Sequence, residues 1–246
     1  MEVYKFVGSK NYVSAASTKK TDSKRMGIGA TRMAVNYQLQ DTFLSAFYAT
    51  RFAGDFYLTG GTALARFYFH HRESVDLDLF TQHQTLDFAQ VNQEIVLLHK
   101  HLGLTLDKQI VTGTFLQYIY KEGLKVDLVK DIPVHFGQIK TEGVVRIDSI
   151  ENIGSNKVLA IFGRTEAKDF IDLYFILKET EYTLDHLYTL ATKKDVGLTE
   201  FYLAYAMDKV GEATNDPVML KPYDREKATL FYKEMSKKLL LKIKPR

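Results

Sequence analysis

Residues 58–80, LTGGTALARFYFHHRESVDLDLF, decide the fold of this chain. The apolar residues 56–59 predict a short strand, Gly60 and Gly61 predict a tight turn at its end, and residues 62–71 predict a helix. A helix that begins directly after such a turn presents free backbone N–H groups, and these groups bind anions. The segment therefore predicts a turn that can hold the phosphates of a ligand.

The same segment ends in two aspartates, Asp76 and Asp78, which alternate with apolar residues on the next predicted strand. Alternation puts both carboxylates on one face, about 6.6 Å apart along the strand. Such a pair can share a divalent cation, and Mg²⁺ is usually held by one or two carboxylates together with substrate phosphates. Separately, a Gly-Gly pair is more often an ordinary turn and an Asp-x-Asp pair a solvated face, but together they favour a phosphate and metal site.

The order of these residues resembles a known family. Gly-Gly-Thr-Ala-Leu-Ala is followed by His-Arg-x-Ser and then by Asp-Leu-Asp-Leu-Phe, with fourteen residues between Gly61 and the first aspartate. This order resembles the opening motif of nucleotidyltransferases with the polymerase-β-type fold, and in detail the AbiEii/AbiGii-type toxins of bacterial toxin–antitoxin and phage-defence systems. The resemblance implies that the nucleotide is contacted by Gly60, Gly61, Thr62, Arg72 and Ser74. Without it, Arg72 and Ser74 would be an ordinary loop arginine and turn serine.

A third carboxylate is expected, because phosphoryl-type transfer needs a base or a further metal ligand near the attacking hydroxyl. Asp127 is the candidate, since it alternates with Val126 and Leu128 on the strand predicted over residues 124–129. It can converge on Asp76 and Asp78 from an adjacent strand, and the family resemblance also implies a carboxylate on a later strand. The alternative is an aspartate at a strand edge that forms a salt bridge.

The second informative segment is NKVLAIFGRTEAKDFIDLYFIL, residues 156–177, in which Lys157 and Arg164 precede Lys168, Asp169 and Asp172. On a helix the last three lie on one side, which by itself is typical of an ion pair worth a few tenths of a kcal/mol. The segment also resembles the later motifs of the AbiEii-type enzymes. By that resemblance Lys157 binds the nucleotide phosphates and Asp172 completes the site, with Arg164, Lys168 and Asp169 as further nucleotide contacts.

Composition sets outer limits on location and on the kind of metal site. The chain has 246 residues, 46% of them apolar, which is enough for one sizeable core. A run of apolar residues long enough to cross a membrane is missing, as is a signal-type start, so we expect a cytoplasmic protein without a membrane partner. There is no cysteine, and the seven histidines lack zinc-site spacing, so any metal is expected to be held by oxygen.

The net charge of +3 is unevenly distributed. Residues 1–32 hold seven Lys/Arg against two acids, and residues 221–246 hold nine against three, so the middle of the chain is acidic. A basic end is usually only a solvated surface. Beside a predicted nucleotidyl-transfer site, however, it favours an RNA acceptor whose phosphates these ends contact.

The period of the apolar pattern changes along the chain. Residues 1–32 are rich in Ser, Thr, Lys and Gly and predict a disordered or peripheral arm. Residues 33–148 predict an α/β core with a mixed β-sheet, which the resemblance implies is a nucleotidyltransferase core, and residues 149–246 predict an all-helical region. The predicted helices cover residues 37–51, 86–101, 152–162, 167–177, 184–192, 199–210 and 225–241, and further strands cover residues 104–111 and 115–120.

These patterns and the resemblance predict a metal-dependent enzyme that transfers a nucleoside monophosphate from an NTP to an acceptor hydroxyl, with Asp76, Asp78 and Asp127 as catalytic and metal-binding residues. The expected cofactor is Mg²⁺ or Mn²⁺. RNA is the preferred acceptor, and the resemblance implies a tRNA 3′ end in some members and a cognate antitoxin as partner. Transfer to a small molecule or protein is one alternative, and a non-catalytic NTP-binding protein of the same fold is another.

Overall fold

The computed structural model describes residues 35–243, so the arm predicted over residues 1–32 lies outside the described residues. The first part of the chain contains a mixed sheet and three helices, and the last part is helical. The strands are β1 (Tyr57–Thr59), β2 (Asp76–Thr81), β3 (Leu106–Val111), β4 (Phe115–Tyr120), β5 (Lys125–Lys130), β6 (Lys140–Glu142) and β7 (Val145–Ile147). The helices are α1 (Tyr37–Phe47), α2 (Gly60–Ala63), α3 (Phe88–His101), α4 (Ile150–Gly163), α5 (Ala167–Glu179), α6 (Leu184–Lys194), α7 (Glu200–Asp208) and α8 (Arg225–Lys242).

The described strands form one seven-stranded sheet in the order β3-β4-β5-β2-β1-β7-β6. Strand β2 pairs antiparallel with β1 and parallel with β5, and β1 pairs parallel with β7. The sheet is therefore mixed, and the predicted α/β fold with a helical C-terminal region is confirmed. Its centre lies at β2, which carries the two aspartates of the opening motif.

Strand β2 alternates as the sequence predicts. Leu77, Leu79 and Thr81 are buried on one face, whereas Asp76 and Asp78 lie half-buried on the other. The apolar face packs into a core that also takes side chains from α1 and α3. Burying a leucine side chain stabilises a fold by about 1.5–3 kcal/mol, so this face fixes the register of β2 and the direction of its carboxylates.

The helix predicted over residues 37–51 ends at Phe47, and two further features differ from the sequence prediction. The helix predicted over residues 62–71 begins at Gly60, continues after α2 as a π-helical turn over Leu64–Tyr68, and ends there. It ends before His70 because His70 has a φ of 52°, which a right-handed helix does not allow. Strands β6 and β7 were not predicted, because each is only three residues long and their charged residues weaken the apolar alternation.

Candidate active site

The parallel pairing of β2 and β5 places Asp127 directly beside Asp78 in the sheet register. Neighbouring strands lie about 4.8 Å apart, so the three carboxylates of Asp76, Asp78 and Asp127 occupy one small patch of the same sheet face. The turn after β1 borders this patch. Gly60 has a φ of 68°, and a Cβ there would lie 2.6 Å from the Asp78 Oδ2, so only glycine fits so close to the carboxylate.

Lys125 lies two residues before Asp127 on β5, and its side chain lies among these carboxylates. Its Nζ is 2.9 Å from the Asp127 Oδ2 and 3.6 Å from the Asp76 Oδ2. The Gln117 side chain, from β4, donates a hydrogen bond of 3.0 Å to the Asp127 Oδ1. Asp127 is thus buried with a partner on each oxygen, whereas no described residue donates a hydrogen bond to the Asp78 carboxylate.

The pKa values of these groups reflect their burial and their mutual repulsion. Burial, followed by the charges of Asp127 and Asp76, raises the pKa of Asp78 to about 6. Burial also raises the pKa of Asp127, although Lys125 and Gln117 oppose this shift. Burial alone would lower the pKa of Lys125, but the neighbouring carboxylates outweigh it and raise that pKa. The patch is therefore an acidic site that is short of positive charge.

The hydroxyls of Thr62 and Ser74 are buried and join the glycine turn to the start of β2. They lie 2.9 Å apart, and the Thr62 hydroxyl also donates to the backbone carbonyl of Asp76. A Cβ on Gly61 would collide with the Arg72 guanidinium. These four residues, predicted as nucleotide contacts, set the distance between the turn and the first aspartate.

Arg72 is held by Asp172, one hundred residues later in the chain. The Arg72 Nε and Nη2 donate to the two carboxylate oxygens of Asp172 at 2.7 and 2.8 Å, and both side chains are buried. His71 Nε2 lies 2.8 Å from the same carboxylate. Burial lowers the pKa of His71, so at pH 7 the ring is neutral and its Nε2–H donates to Asp172. Arg72 and, with less force, Lys157 hold the pKa of Asp172 well below its usual range despite burial.

Lys157 on α4 completes this buried network. Its Nζ is 2.7 Å from the Asp172 Oδ2 and 2.8 Å from the Asp169 Oδ1. Arg164 approaches the second oxygen of Asp169 at 2.7 Å. The network joins α4, α5 and the segment before β2, and the ammonium of Lys157 is already shared by two carboxylates.

Lys168 does not join Asp169 and Asp172. Its Nζ lies 3.3 Å from Glu166, and its side chain is 39% exposed. Burial and the neighbouring carboxylates raise the pKa of Asp78, and the charge of Lys168 opposes this shift. The side chain of Arg164 is 44% exposed, and the negative charges of Asp169 and, to a smaller extent, Asp78 outweigh burial and raise its pKa. Among the cations that the sequence analysis singled out, these two are the ones that solvent can reach.

The donor set fits a hard divalent cation, because the three side chains offer carboxylate oxygens, and burial followed by their mutual repulsion raises the pKa of Asp78. Within residues 35–243, no group of three or more His, Cys, Asp or Glu side chains is arranged to hold a metal ion. The Lys125 ammonium lies between Asp76 and Asp127. Both oxygens of Asp127 have close partners, whereas Asp76 is only 3.6 Å from the ammonium, so Asp76 and Asp78 are the pair that could hold a metal.

Sequence reasoning missed Lys125, Gln117 and His71. A signal for Lys125 was present, because it alternates with Asp127 on a strand and so shares its face. Gln117 carries no such signal, since its role depends on the pairing of β4 with β5. His71 is the neighbour of a motif arginine, and only the long-range contact with Asp172 distinguishes it from a surface histidine.

A second buried polar cluster lies on the same sheet near β7. The Lys194 ammonium donates hydrogen bonds of 2.6 Å to the side-chain oxygens of Asn152 and Asn156. Burial lowers the pKa of Lys194 to about 8, and the nearby charges of Asp131 and Asp148 offset only part of this shift. The cluster fixes α6 against the start of α4.

A mixed sheet with paired carboxylates beside a glycine turn, followed by helices, is the arrangement expected of a nucleotidyltransferase, and comparison with known proteins shows this class. A family model described as the nucleotidyl transferase AbiEii toxin of type IV toxin–antitoxin systems matches residues 42–239. Because this match spans most of the chain, the protein belongs to the AbiEii family of toxin-type nucleotidyltransferases.

Individual relatives are more distant. An uncharacterized protein of Aquifex aeolicus is 27% identical over an alignment of 197 residues that covers 75% of this chain and 88% of that protein. The crystal structure of JHP933 from Helicobacter pylori is similar with a TM-score of 0.55 and 22% identity, over 84% of this chain and 90% of that one. MenT4, a nucleotidyltransferase toxin of Mycobacterium tuberculosis, is similar with a TM-score of 0.50 and 13% identity, over 84% and 83%. At these identities the two structures support the fold alone.

Within residues 35–243, no helix has both the length and the apolar character needed to cross a membrane.

Proposed function

We propose that this protein transfers a nucleoside monophosphate from an NTP to a hydroxyl of an RNA acceptor. The observation that carries the proposal is the register of Asp78 beside Asp127, with Gly60 in contact with the same carboxylate. In the step, the acceptor oxygen forms a bond to the α-phosphorus, the bond from that phosphorus to the bridging oxygen breaks, and pyrophosphate leaves. The hydroxyl proton passes to a carboxylate of the patch or to water.

Asp76 and Asp78, with Asp127 beside them, would hold Mg²⁺ or Mn²⁺. The support is the crowding of the three carboxylates in the sheet register, and burial together with the charges of Asp127 and Asp76 raises the pKa of Asp78. A bound divalent cation would offset the charge of the phosphates and of the attacking oxygen. The contribution of the chain is to hold both carboxylates rigidly on β2, whose apolar face is locked into the core.

The triphosphate is proposed to meet the cations that are still reachable. Lys168 and Arg164 are more than a third exposed and interact with the charge of Asp78. Arg72 and Lys157 are buried and bound to carboxylates, so a phosphate could reach them only by breaking a buried ion pair. We therefore assign phosphate contact first to Lys168 and Arg164, and we assign the framing of the site to Arg72 and Lys157.

RNA is proposed as acceptor because of the basic surface at the C-terminal end. Lys237 and Lys238 are exposed on α8, where they can contact phosphates. Lys242 is bound to Asp185 at 2.5 Å, and Lys244 lies outside the described residues. The type IV toxin family supports a cognate antitoxin as a further partner. A role in phage defence is proposed on the resemblance of the sequence motifs alone.

The test is incubation of the full chain with each α-labelled NTP, Mg²⁺ and total RNA, followed by separation of the labelled species. We expect label in RNA with the wild type and none with Asp76→Asn or Asp78→Asn, because each variant removes a proposed metal ligand. Asp107→Asn, an exposed aspartate on β3, is the matched control and should transfer normally. Near-wild-type transfer by Asp78→Asn would refute the site, whereas label in protein or small molecules would replace the acceptor.

A further inference from the structure

We propose that Lys125 serves as a built-in second cation of the site, so that the active site binds one divalent cation rather than two. The inference rests on the proposed function. It gives a role to Lys125, which is not part of any motif named in the sequence analysis. In this arrangement Asp76 and Asp78 hold the single metal. Asp127 anchors the ammonium instead of ligating a metal.

The position of Lys125 follows from the backbone of β5. The residue pairs with Asp76 in the register of β2 and β5, and Asp127 pairs with Asp78 two residues further on. Because residues two apart on a strand share a face, Lys125 must project from the same face as the three carboxylates. Its ammonium lies 2.9 Å from Asp127 and 3.6 Å from Asp76, so the two nearest anions share it.

The oxygens of Asp127 are already engaged. Oδ1 accepts from Gln117 at 3.0 Å and Oδ2 faces the Lys125 ammonium, and the residue is only 4% exposed. Asp76 and Asp78 are half-buried and thus retain faces that solvent can reach. A metal that enters from solvent therefore meets the two aspartates of β2 before it meets Asp127.

Charge balance supports the same count. One ammonium and one divalent cation neutralise three carboxylates, so the site is neutral before the triphosphate binds. The charge of the triphosphate is then offset by Lys168 and Arg164. A second divalent cation beside Asp127 would lie within a few ångströms of the ammonium. At an effective dielectric constant near 20, repulsion at such a distance weakens binding by far more than tenfold.

The experiment counts Mn²⁺ bound to the full chain by equilibrium dialysis with electron paramagnetic resonance, in the presence of a non-hydrolysable α,β-methylene NTP analogue. We expect one Mn²⁺ per chain for the wild type and for Lys125→Arg, which keeps the charge. Lys125→Met should bind two, and without the analogue its Mn²⁺ affinity should exceed that of the wild type by at least about tenfold. Lys121→Met removes an equal charge from an exposed position on the same hairpin and should behave as the wild type.

Two Mn²⁺ in the wild type, or a Lys125→Met variant that matches the wild type in count and affinity, overturns the inference. The wild-type count is decisive even if Lys125→Met fails to fold. If the wild type binds two Mn²⁺ while Asp78→Asn still abolishes transfer, the proposed function stands and only the role of Lys125 is wrong. If no variant binds Mn²⁺, both the inference and the proposed metal site fail.

Discussion

Replacing Asp172 with asparagine should distinguish a framing role from a catalytic one. The Asp172 carboxylate is fully buried and faces two nitrogens of Arg72, the ring of His71 and the ammonium of Lys157, all within 2.8 Å. Asparagine offers one acceptor oxygen in place of two, and its amide would point N–H groups at a cation. Arg72 would then lose its carboxylate partner, and Lys157 would keep only Asp169, which also binds Arg164.

The expected cost follows from that burial. Removing one partner of a buried ion pair costs about 3–5 kcal/mol, because the remaining charges stay in the interior without compensation. The matched control is Asp185→Asn, since Asp185 is also a helical aspartate paired with a lysine, but its side chain is 66% exposed. An exposed pair contributes at most about 1 kcal/mol, so the control should unfold almost as the wild type does.

The assay is urea unfolding of the full chain followed by far-UV circular dichroism, with the transfer rate measured on the same samples at low temperature. We expect Asp172→Asn to lose 3 kcal/mol or more of unfolding free energy, on the order of the buried-pair cost. The transfer rate of this variant should fall only in proportion to the loss of folded protein and to any displacement of the glycine turn. A variant that is as stable as the wild type but transfers nothing would show that Asp172 acts on the substrate, as the family resemblance implies.

Three further outcomes are expected. Lys168→Gln should raise the KM for NTP by at least about tenfold, because it removes one charge-assisted hydrogen bond. The control Lys178→Gln, at an exposed position near the end of the same helix, should leave the KM unchanged. Burial lowers the pKa of Lys194 to about 8, so between pH 8 and 10.5 the unfolded state binds more protons than the folded state. In urea titrations the stability of the wild type should therefore rise with pH relative to that of Lys194→Met, by up to about 3 kcal/mol. A stability difference that does not change with pH would contradict burial of the charge. Replacing Lys237 and Lys238 with Gln should reduce the slope of log RNA affinity against log salt by about 0.7 to 0.9 per lost phosphate contact, and an unchanged slope would leave them as solvated residues.

The sequence allowed the fold class, the family and the face of the aspartates to be predicted. Strand β2 was predictable because strict alternation of Leu with Asp admits one buried face, and a slip by one residue would bury both carboxylates. The pairing of Asp78 with Asp127 depended on which strand lies beside β2. That choice is a long-range property of the sheet, so the sequence could give only the expectation that the two strands converge. The catalytic and nucleotide-binding roles of these residues remain predictions.

The charged motif of α4 and α5 shows why the remaining roles could not be derived from spacing. Lys168 and Asp172 are four residues apart and look like partners on a helix, yet each binds elsewhere. Asp172 binds a guanidinium one hundred residues earlier in the chain, and Lys168 binds Glu166, two residues before it. Nearest-neighbour rules favour local pairs by only a few tenths of a kcal/mol, whereas a buried carboxylate without partners costs several.

The deeper burial therefore decides which pairs form, and it also divides the motif into two groups. Arg72, Lys157 and Asp172 are enclosed and engage one another, so they hold the helical region against the glycine turn. Asp78 and Lys168 form an open group, because Asp78 is only half-buried and has no hydrogen-bond donor among the described residues, and Lys168 is 39% exposed and paired with the part-exposed Glu166. A ligand that brings both a divalent cation and phosphates would satisfy the open group without disturbing the enclosed one. Binding and folding are thus assigned to different residues of the same motif, which is why a substitution in each group should give a different phenotype.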